Sequence, residues 1–312
     1  MSRTVNGEFL FQEREMEVFR KMIHKVADFS GVDVLTYCLM GNHFHILTRV
    51  PPADSVSDDE LIRRYRVLYS KPTPYQAASA DKMLRELKTN GPDAAAIRAK
   101  LLARMGDVSA FMKTLKQRFS TWFNKTHERF GPLWSDRFKS VLVEDKGNVL
   151  HTMAAYIDLN PVRAGLVDDP KDYRFCGYAE AVSGQPKAIQ ALKFLISGLY
   201  AISTKEALKS YRCLLFGKGS APLPGTSSFD REQAARVLEK KQGSLPSHIL
   251  LRCRIRYFSE GAVLGSREFV HSHLESWQRS TARKHRSKPR FIQAESSETL
   301  AVLKSVRGRA YS

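Results

Sequence analysis

No two cysteines in this chain are spaced as a metal knuckle or a redox pair. The four, Cys38, Cys176, Cys213 and Cys253, lie far apart, which argues against a zinc ribbon and against a disulfide framework. A membrane-spanning run is missing too. The most apolar stretch, Ile189 to Ile202, is short and carries Gln190 and Lys193. Arg3, Glu8, Glu13 and Arg14 break any signal-peptide core at the N-terminal end. These absences point to a reduced, cytoplasmic protein with no membrane partner. Negative charge is also scarce: 32 Asp and Glu stand against 50 Lys and Arg, a net charge of +18 with a pI of about 9.8. Such an excess favours a polyanion, nucleic acid first, as partner. At 312 residues and 43% hydrophobic content, the chain is long enough for about two domains with sizeable cores.

What is present centres on Met40-Gly41-Asn42-His43-Phe44-His45-Ile46-Leu47. Apolar runs flank the Gly41-Asn42 step, Val32 to Leu39 before it and His45 to Val50 after it. The pattern predicts a hairpin. Alternation along a strand puts His43 and His45 on one face and Phe44 on the other. Two adjacent imidazoles make a natural pair of ligands for a divalent metal. A His-x-His pair alone is weak evidence, since structural histidines are commoner.

Before the hairpin, Thr4-Val5 and Phe9-Leu10-Phe11 look β-like around Asn6-Gly7, and Glu13 to Phe29 has helical spacing. Residues 53–108 read as a helical insertion of three amphipathic segments, Asp58–Tyr69, Ala77–Lys88 and Pro92–Met105, with Pro92 as a first helical residue. Ser109 to Asn124 is a strong helix. Its stripe of Phe111, Met112, Leu115, Phe119, Trp122 and Phe123 reads as core, and Lys113, Lys116, Gln117 and Arg118 lie largely on its other faces. Gly131 to Trp134 turns the chain, and Arg137 to Val143 looks like a strand with Arg137 and Lys139 on one face.

Asn148 to Asn160 is the second chemical element. Leu150, Met153, Ala154 and Ile157 give it an apolar helical face, and Pro161 ends it. Tyr156 and Asn160, four apart, are neighbours on that helix, where His151 and Asp158 are further polar positions. Val167 to Tyr178 reads as an irregular segment packed back on the domain. After about residue 186 the texture changes. Ser203 to Glu206 is a capping box, residues 219–228 are a Pro/Gly/Ser linker, 229–242 a charged helix, and Gly265-Ser266 cap a helix with Phe269, Val270, Leu274 and Trp277. From residue 240 onward 15 Lys and Arg face 5 Asp and Glu, a net +10. The division expected is a catalytic domain over 1–185, a helical C-terminal region over 186–280 as a candidate DNA-binding unit, and a basic, disordered tail over 281–312.

Four blocks, in order, resemble one family. Tyr37 to Leu47 resembles the histidine–hydrophobe–histidine (HUH) motif of single-tyrosine transposases. Met112 to Phe119 and Gly131 to Ser140 look like their next blocks. Tyr156-Ile157-Asp158-Leu159-Asn160-Pro161-Val162-Arg163-Ala164-Gly165-Leu166-Val167, with Pro170, Asp172-Tyr173 and Tyr178 after it, is similar to the REP-associated tyrosine transposases (RAYTs). The resemblance spans roughly residues 2–182 and skips 53–108. It implies an α+β fold: a ferredoxin-like antiparallel sheet with helices on one face, the HUH core, and the histidines on a central strand. It implies single-stranded or hairpin DNA as substrate, Mg²⁺ or Mn²⁺ as cofactor, Tyr156 as nucleophile, and His43, His45 and Asn160 as metal ligands. Many relatives carry glutamine where Asn160 stands. The matched first strand, Ser2 to Val5, is shorter here than is usual in the family.

A free tyrosine phenol, pKa near ~10, is a poor nucleophile at neutral pH, so it needs an activated phosphate. Arg118, Arg137, Lys139 and Arg163 are candidate backbone contacts, and Trp134, Tyr173 or Tyr178 candidate base-stacking groups. Core packing is the competing role for each aromatic. Tyr37, Tyr173 and Tyr178 are rival nucleophiles, but Tyr37 has the wrong strand parity and the others lack a polar partner at i+4. Three classes stay open: a nicking and joining enzyme, a DNA-binding protein that has lost catalysis, and a water-using metal phosphodiesterase. Monomer and homodimer are both compatible with the sequence.

Overall fold

Apolar spacing and capping chemistry explain the helices one by one. A computed structural model describes residues 1–52, 56–145, 147–198, 201–216, 261–281, 289–292 and 300–304. These divide into two compact units that interleave along the chain. One comprises Met1–Arg3, Leu35–Leu47 and Asp136–Ser312; the other comprises Thr4–Val34 and Thr48–Ser135. The architecture is mixed α+β, with many helices and a small antiparallel sheet.

In the second unit, helix α1 (Glu13–Ser30) opens with a reciprocal capping box between Gln12 and Glu15 and stops at Gly31, whose φ of 62° suits a residue without Cβ. The three expected insertion helices are present as α2 (Asp58–Leu68), α3 (Pro74–Thr89) and α4 (Ala94–Leu102). Ser57 and Thr73 cap the first two. Pro92 is not the first residue of α4. The chain leaves α3 through Asn90 in the left-handed region, and α4 begins two residues after Pro92. Leu61, Ile62, Leu84, Leu87 and Leu101 give the insertion a core of its own. Helix α5 (Val108–Thr126) buries Phe111, Met112, Leu115, Phe119 and Phe123, the stripe expected from its spacing. Phe119 packs with Phe19 at 4.4 Å and with Phe11 at 5.4 Å between ring centroids.

The first unit holds most of the histidine sheet. Strands β1 (Ser2–Arg3), β2 (Asp33–Met40) and β3 (His43–Arg49) are arranged β1-β3-β2, so the histidine strand is central. Ser2 faces Phe44 and Arg3 faces His43 across the antiparallel pair. Beyond Thr4 the N-terminal segment is not β: Val5–Gly7 is a single 3-10 turn, with Asn6 at φ 54°. Outside β1, the backbone of Lys139 exchanges hydrogen bonds with Met1. Outside β2, Cys176 bridges Cys38 and the Leu39 amide donates to the Phe175 carbonyl. Each sheet edge thereby has a partner over part of its length.

The expected strand over Arg137 to Val143 is cut back to β4 (Leu142–Val143). Residues 137–141 have strand-like sequence; the Lys139 backbone pairs with Met1, just outside the two-residue β1, which is too short to carry a ladder. Helices α6 (Gly147–Asp158), α7 (Asn160–Arg163), α8 (Gly177–Val182), α9 (Pro186–Ser197) and α10 (Thr204–Phe216) follow. The apolar stretch from Ile189 thus contributes to a core helix. Ser203 and Glu206 cap α10 reciprocally, as their spacing predicts. Leu35, Cys38, Met40 and Leu47 of the hairpin share one core with Met153, Ile157, Tyr178 and Leu195.

The C-terminal part departs from the helical expectation. Strands β5 (Gly261–Gly265), β6 (Arg290–Ile292) and β7 (Leu300–Lys304) join β4 in a sheet ordered β4-β5-β7-β6, packed by α11 (Arg267–Thr281). Residues 290–292 and 300–304 fall in the stretch expected to be a disordered tail. The Leu-Ala-Val-Leu run at 300–303 outweighs the basic composition there, burying Ala301, Val302 and Leu303. Glu144, buried beside β4, accepts from the Ser266 amide and hydroxyl at the start of α11. The anticipated linker at 219–228 and helix at 229–242 lie outside the described residues. No helix among the described residues is long and apolar enough to cross a membrane.

Candidate active site

The hairpin turn sets the first half of the site. With Gly41 and Asn42 at the turn, His43 and His45 fall on one face of β3, their rings 5.4 Å apart and nearly perpendicular. Asn42 Oδ1 lies 2.7 Å from His43 Nδ1. With the proton on Nδ1 donated to that amide, Nε2 keeps its lone pair for a metal. His45 is only 7% exposed. Burial pushes its pKa well below the usual imidazole value, and the positive N-terminus, His43, Arg163 and Arg3 add to the effect. It is therefore neutral at physiological pH, the form that ligates metals.

Helix α6 supplies the second half. Tyr156 is 6% exposed, and its ring centroid lies 6.3 Å from that of His45, edge to face. Pro161 has no N–H to give the Ile157 carbonyl, so the helix breaks at Leu159 and resumes as the single turn α7. Asn160 Nδ2 then reaches the carbonyls of Ile157, at 3.2 Å, and Tyr156, at 3.4 Å. That leaves its Oδ1 as the atom able to meet a metal. Arg163 donates to the Tyr156 carbonyl and lays its guanidinium 4.0 Å from the centre of the Tyr156 ring. Among the described residues no cluster of three or more His, Cys, Asp or Glu side chains is disposed to hold a metal. Two neutral imidazoles plus an amide oxygen are nonetheless a donor set that a divalent ion accepts.

The register of α6 is fixed by Asp158, which is 1% exposed. Its carboxyl accepts from Thr36 Oγ1 of β2 at 2.7 Å, from the Tyr178 amide at 3.3 Å and from the Tyr211 hydroxyl of α10. Burial raises its pKa to about 6, against the opposing pull of those three donors. Gly177 sits tight over Thr36: a Cβ there would lie 2.3 Å from Thr36 Oγ1. The sequence marks Asp158 only as a polar helix position. Nothing local announces Tyr211, 53 residues away.

Residues 3–75 match the family described as Transposase IS200 like. This places an IS200-like transposase domain at the N-terminal end, containing His43 and His45; Tyr156 and Asn160 lie outside the match. No curated protein and no solved structure matches the chain.

His43, His45, Tyr156, Asn160 and Arg163 all fall within the first unit. Arg137 and Lys139 are exposed there, on the segment paired with Met1 beside β1. Arg118 and Trp134 belong to the second unit. Arg118 donates to the Leu68 carbonyl and stacks on Tyr69 at 5.2 Å. Trp134 donates through its indole N–H to the Lys116 carbonyl and packs among Phe11, Phe19 and Phe119. Among the rival tyrosines, Tyr173 donates to the Leu39 carbonyl, and burial pushes its phenol well above the ordinary value. Tyr178 packs on Tyr211 in the core, 5.4 Å between rings.

Proposed function

We propose that this chain is a single-strand DNA nicking and joining transposase of the REP-associated tyrosine class, acting on hairpin-forming palindromes. One observation carries the reading: the ring of Tyr156, brought in by α6, stands edge to face with His45 of the histidine pair. The match over residues 3–75 and the order of the remaining motifs support it, as does a central histidine strand compatible with a ferredoxin-like HUH core. The charge of +18 suits a nucleic-acid substrate.

In this reading Tyr156 Oη attacks a DNA phosphorus in line. The Tyr–O–P bond forms, the P–O3′ bond breaks, the phenol proton passes to water and the departing 3′-oxygen takes up a proton. A 5′-phosphotyrosine link and a free 3′-OH result. The link conserves a phosphoester, so a 3′-OH can reverse the step and join strands without a nucleotide cofactor. His43, His45 and Asn160 would hold Mg²⁺ or Mn²⁺, which when bound polarises the scissile phosphate and offsets its developing charge. Arg137 and Lys139 would track the DNA backbone beside β1.

The test is incubation with Mn²⁺ and labelled single-stranded hairpins from the palindromes flanking its gene, in parallel with Tyr156→Phe. A denaturant-resistant protein–DNA adduct that disappears in the variant is expected. Binding without adduct would make the protein an inactive DNA binder. Cleavage persisting in the variant would transfer the chemistry to a water nucleophile.

A further inference from the structure

Arg163 reads from sequence as one more cation for DNA, yet the geometry points to another task. We infer that Arg163 is a positioning residue for Tyr156, holding the phenol ring at the attack angle rather than contacting a phosphate. This rests on Tyr156 being the nucleophile.

Three observations converge. First, Arg163 is 8% exposed, unlike Arg137 and Lys139, and one of its donors serves the Tyr156 carbonyl. That bond ties the guanidinium to the last full turn of α6, just before Pro161 interrupts the ladder at the Ile157 carbonyl. Secondly, the guanidinium stands 4.0 Å from the ring centre while His45 meets the ring edge to face. The ring is therefore bracketed from two directions, which restricts both of its side-chain torsions. Thirdly, one side chain grips the ring and the backbone of the same residue, so rotation of the ring and fraying of the helix end are resisted together. In-line attack is sensitive to such control: a misplacement of about 1 Å costs on the order of 100-fold in rate. Lysine retains the charge but lacks the flat surface that stacks.

The experiment measures single-turnover adduct formation at saturating hairpin DNA with Mn²⁺, and DNA affinity against salt concentration, for wild type, Arg163→Lys and Arg163→Met. Arg163→Met should lose roughly 100-fold in rate with affinity and salt slope kept within about twofold. Arg163→Lys should lie between, about tenfold down, because it keeps charge without the plane. Weaker binding and a shallower salt slope with the saturated rate intact would make Arg163 a phosphate contact and overturn the inference. Equal losses in both variants would also overturn it, as a merely structural role. A second readout needs no activity: carbon-13 ring signals of Tyr156, assigned by their absence in Tyr156→Phe, should shift and broaden in Arg163→Met. Unchanged ring signals would overturn the clamp. If they respond but even wild type forms no adduct, the nuclease reading fails while the clamp stands.

Discussion

The buried carboxyl of Asp158 makes the stability of the tyrosine helix depend on pH in an unusual direction. An aspartate ordinarily titrates near ~3.9; burial raises this one to about 6. The difference is about two units, worth about 3 kcal/mol at ~1.4 kcal/mol per unit. The sign follows from proton binding. Between about pH 4 and pH 6 the folded chain holds a proton that the unfolded chain has lost. This contribution is complete below the unfolded pKa and disappears as pH rises through the folded one. Asp158→Asn removes the titration. Its amide oxygen still accepts from Thr36 and the Tyr178 amide, and the Tyr211 hydroxyl can turn to accept from its NH₂. Urea unfolding of both proteins at pH 4, 5, 6 and 7 isolates the effect, since every other carboxyl is common to both. Wild-type stability minus variant stability should fall by about 2 kcal/mol from pH 4 to pH 7, the rest of the amplitude lying below pH 4. A flat difference, or one that grows with pH, would show that the three donors outweigh burial and would refute the reasoning.

Other substitutions probe the surrounding elements. Asn42→Ala frees His43 Nδ1 and should weaken Mn²⁺ binding by about 10–100-fold in calorimetric titration; an unchanged affinity would remove Asn42 from the metal's support. Gly177→Ala drives a methyl against Thr36 Oγ1 and should cost about 1–3 kcal/mol. Adding Thr36→Ala should then cost less than the sum of the two single changes, and strict additivity would contradict the clash. Phe119→Ala empties the aromatic centre of the second unit and should lower unfolding free energy by about 3–5 kcal/mol, where a loss under ~1 kcal/mol would deny Phe119 that role.

The sequence was most informative where chemistry is local. The β2–β3 hairpin, the parity of His43 and His45, the caps of α10 and α11, and the stripe of α5 all follow from neighbours a few residues apart. The position of Tyr156 beside the histidines was legible only as a resemblance, because 111 residues separate it from His45. Charge alone does not show what a cation touches. Arg163 and Arg118 are cations engaged with rings and carbonyls, a distinction that composition does not carry. The basic terminal stretch hid the short run from Leu300 to Lys304, where apolar pairing decides the structure. Asp158 shows the deeper reason: its partners come from residues 36, 178 and 211, and no window along the chain contains them.

The interleaving of the two units has a consequence for the protein's life on the ribosome. All the residues of the second unit, Thr4–Val34 and Thr48–Ser135, have been synthesised once Ser135 is added. The histidine strand, finished far earlier, must wait for Tyr156 and then for Tyr211, which reaches back to Asp158. At about 5–20 residues per second, some 4–15 seconds separate the synthesis of Ser135 from that of Tyr211. A chain released early can carry both histidines and still lack the tyrosine, or carry the tyrosine on a helix without its Tyr211 anchor. In the proposed reading, the capacity to cut DNA waits until about two thirds of the chain has been made, so products aborted before then would spare the genome that encodes them.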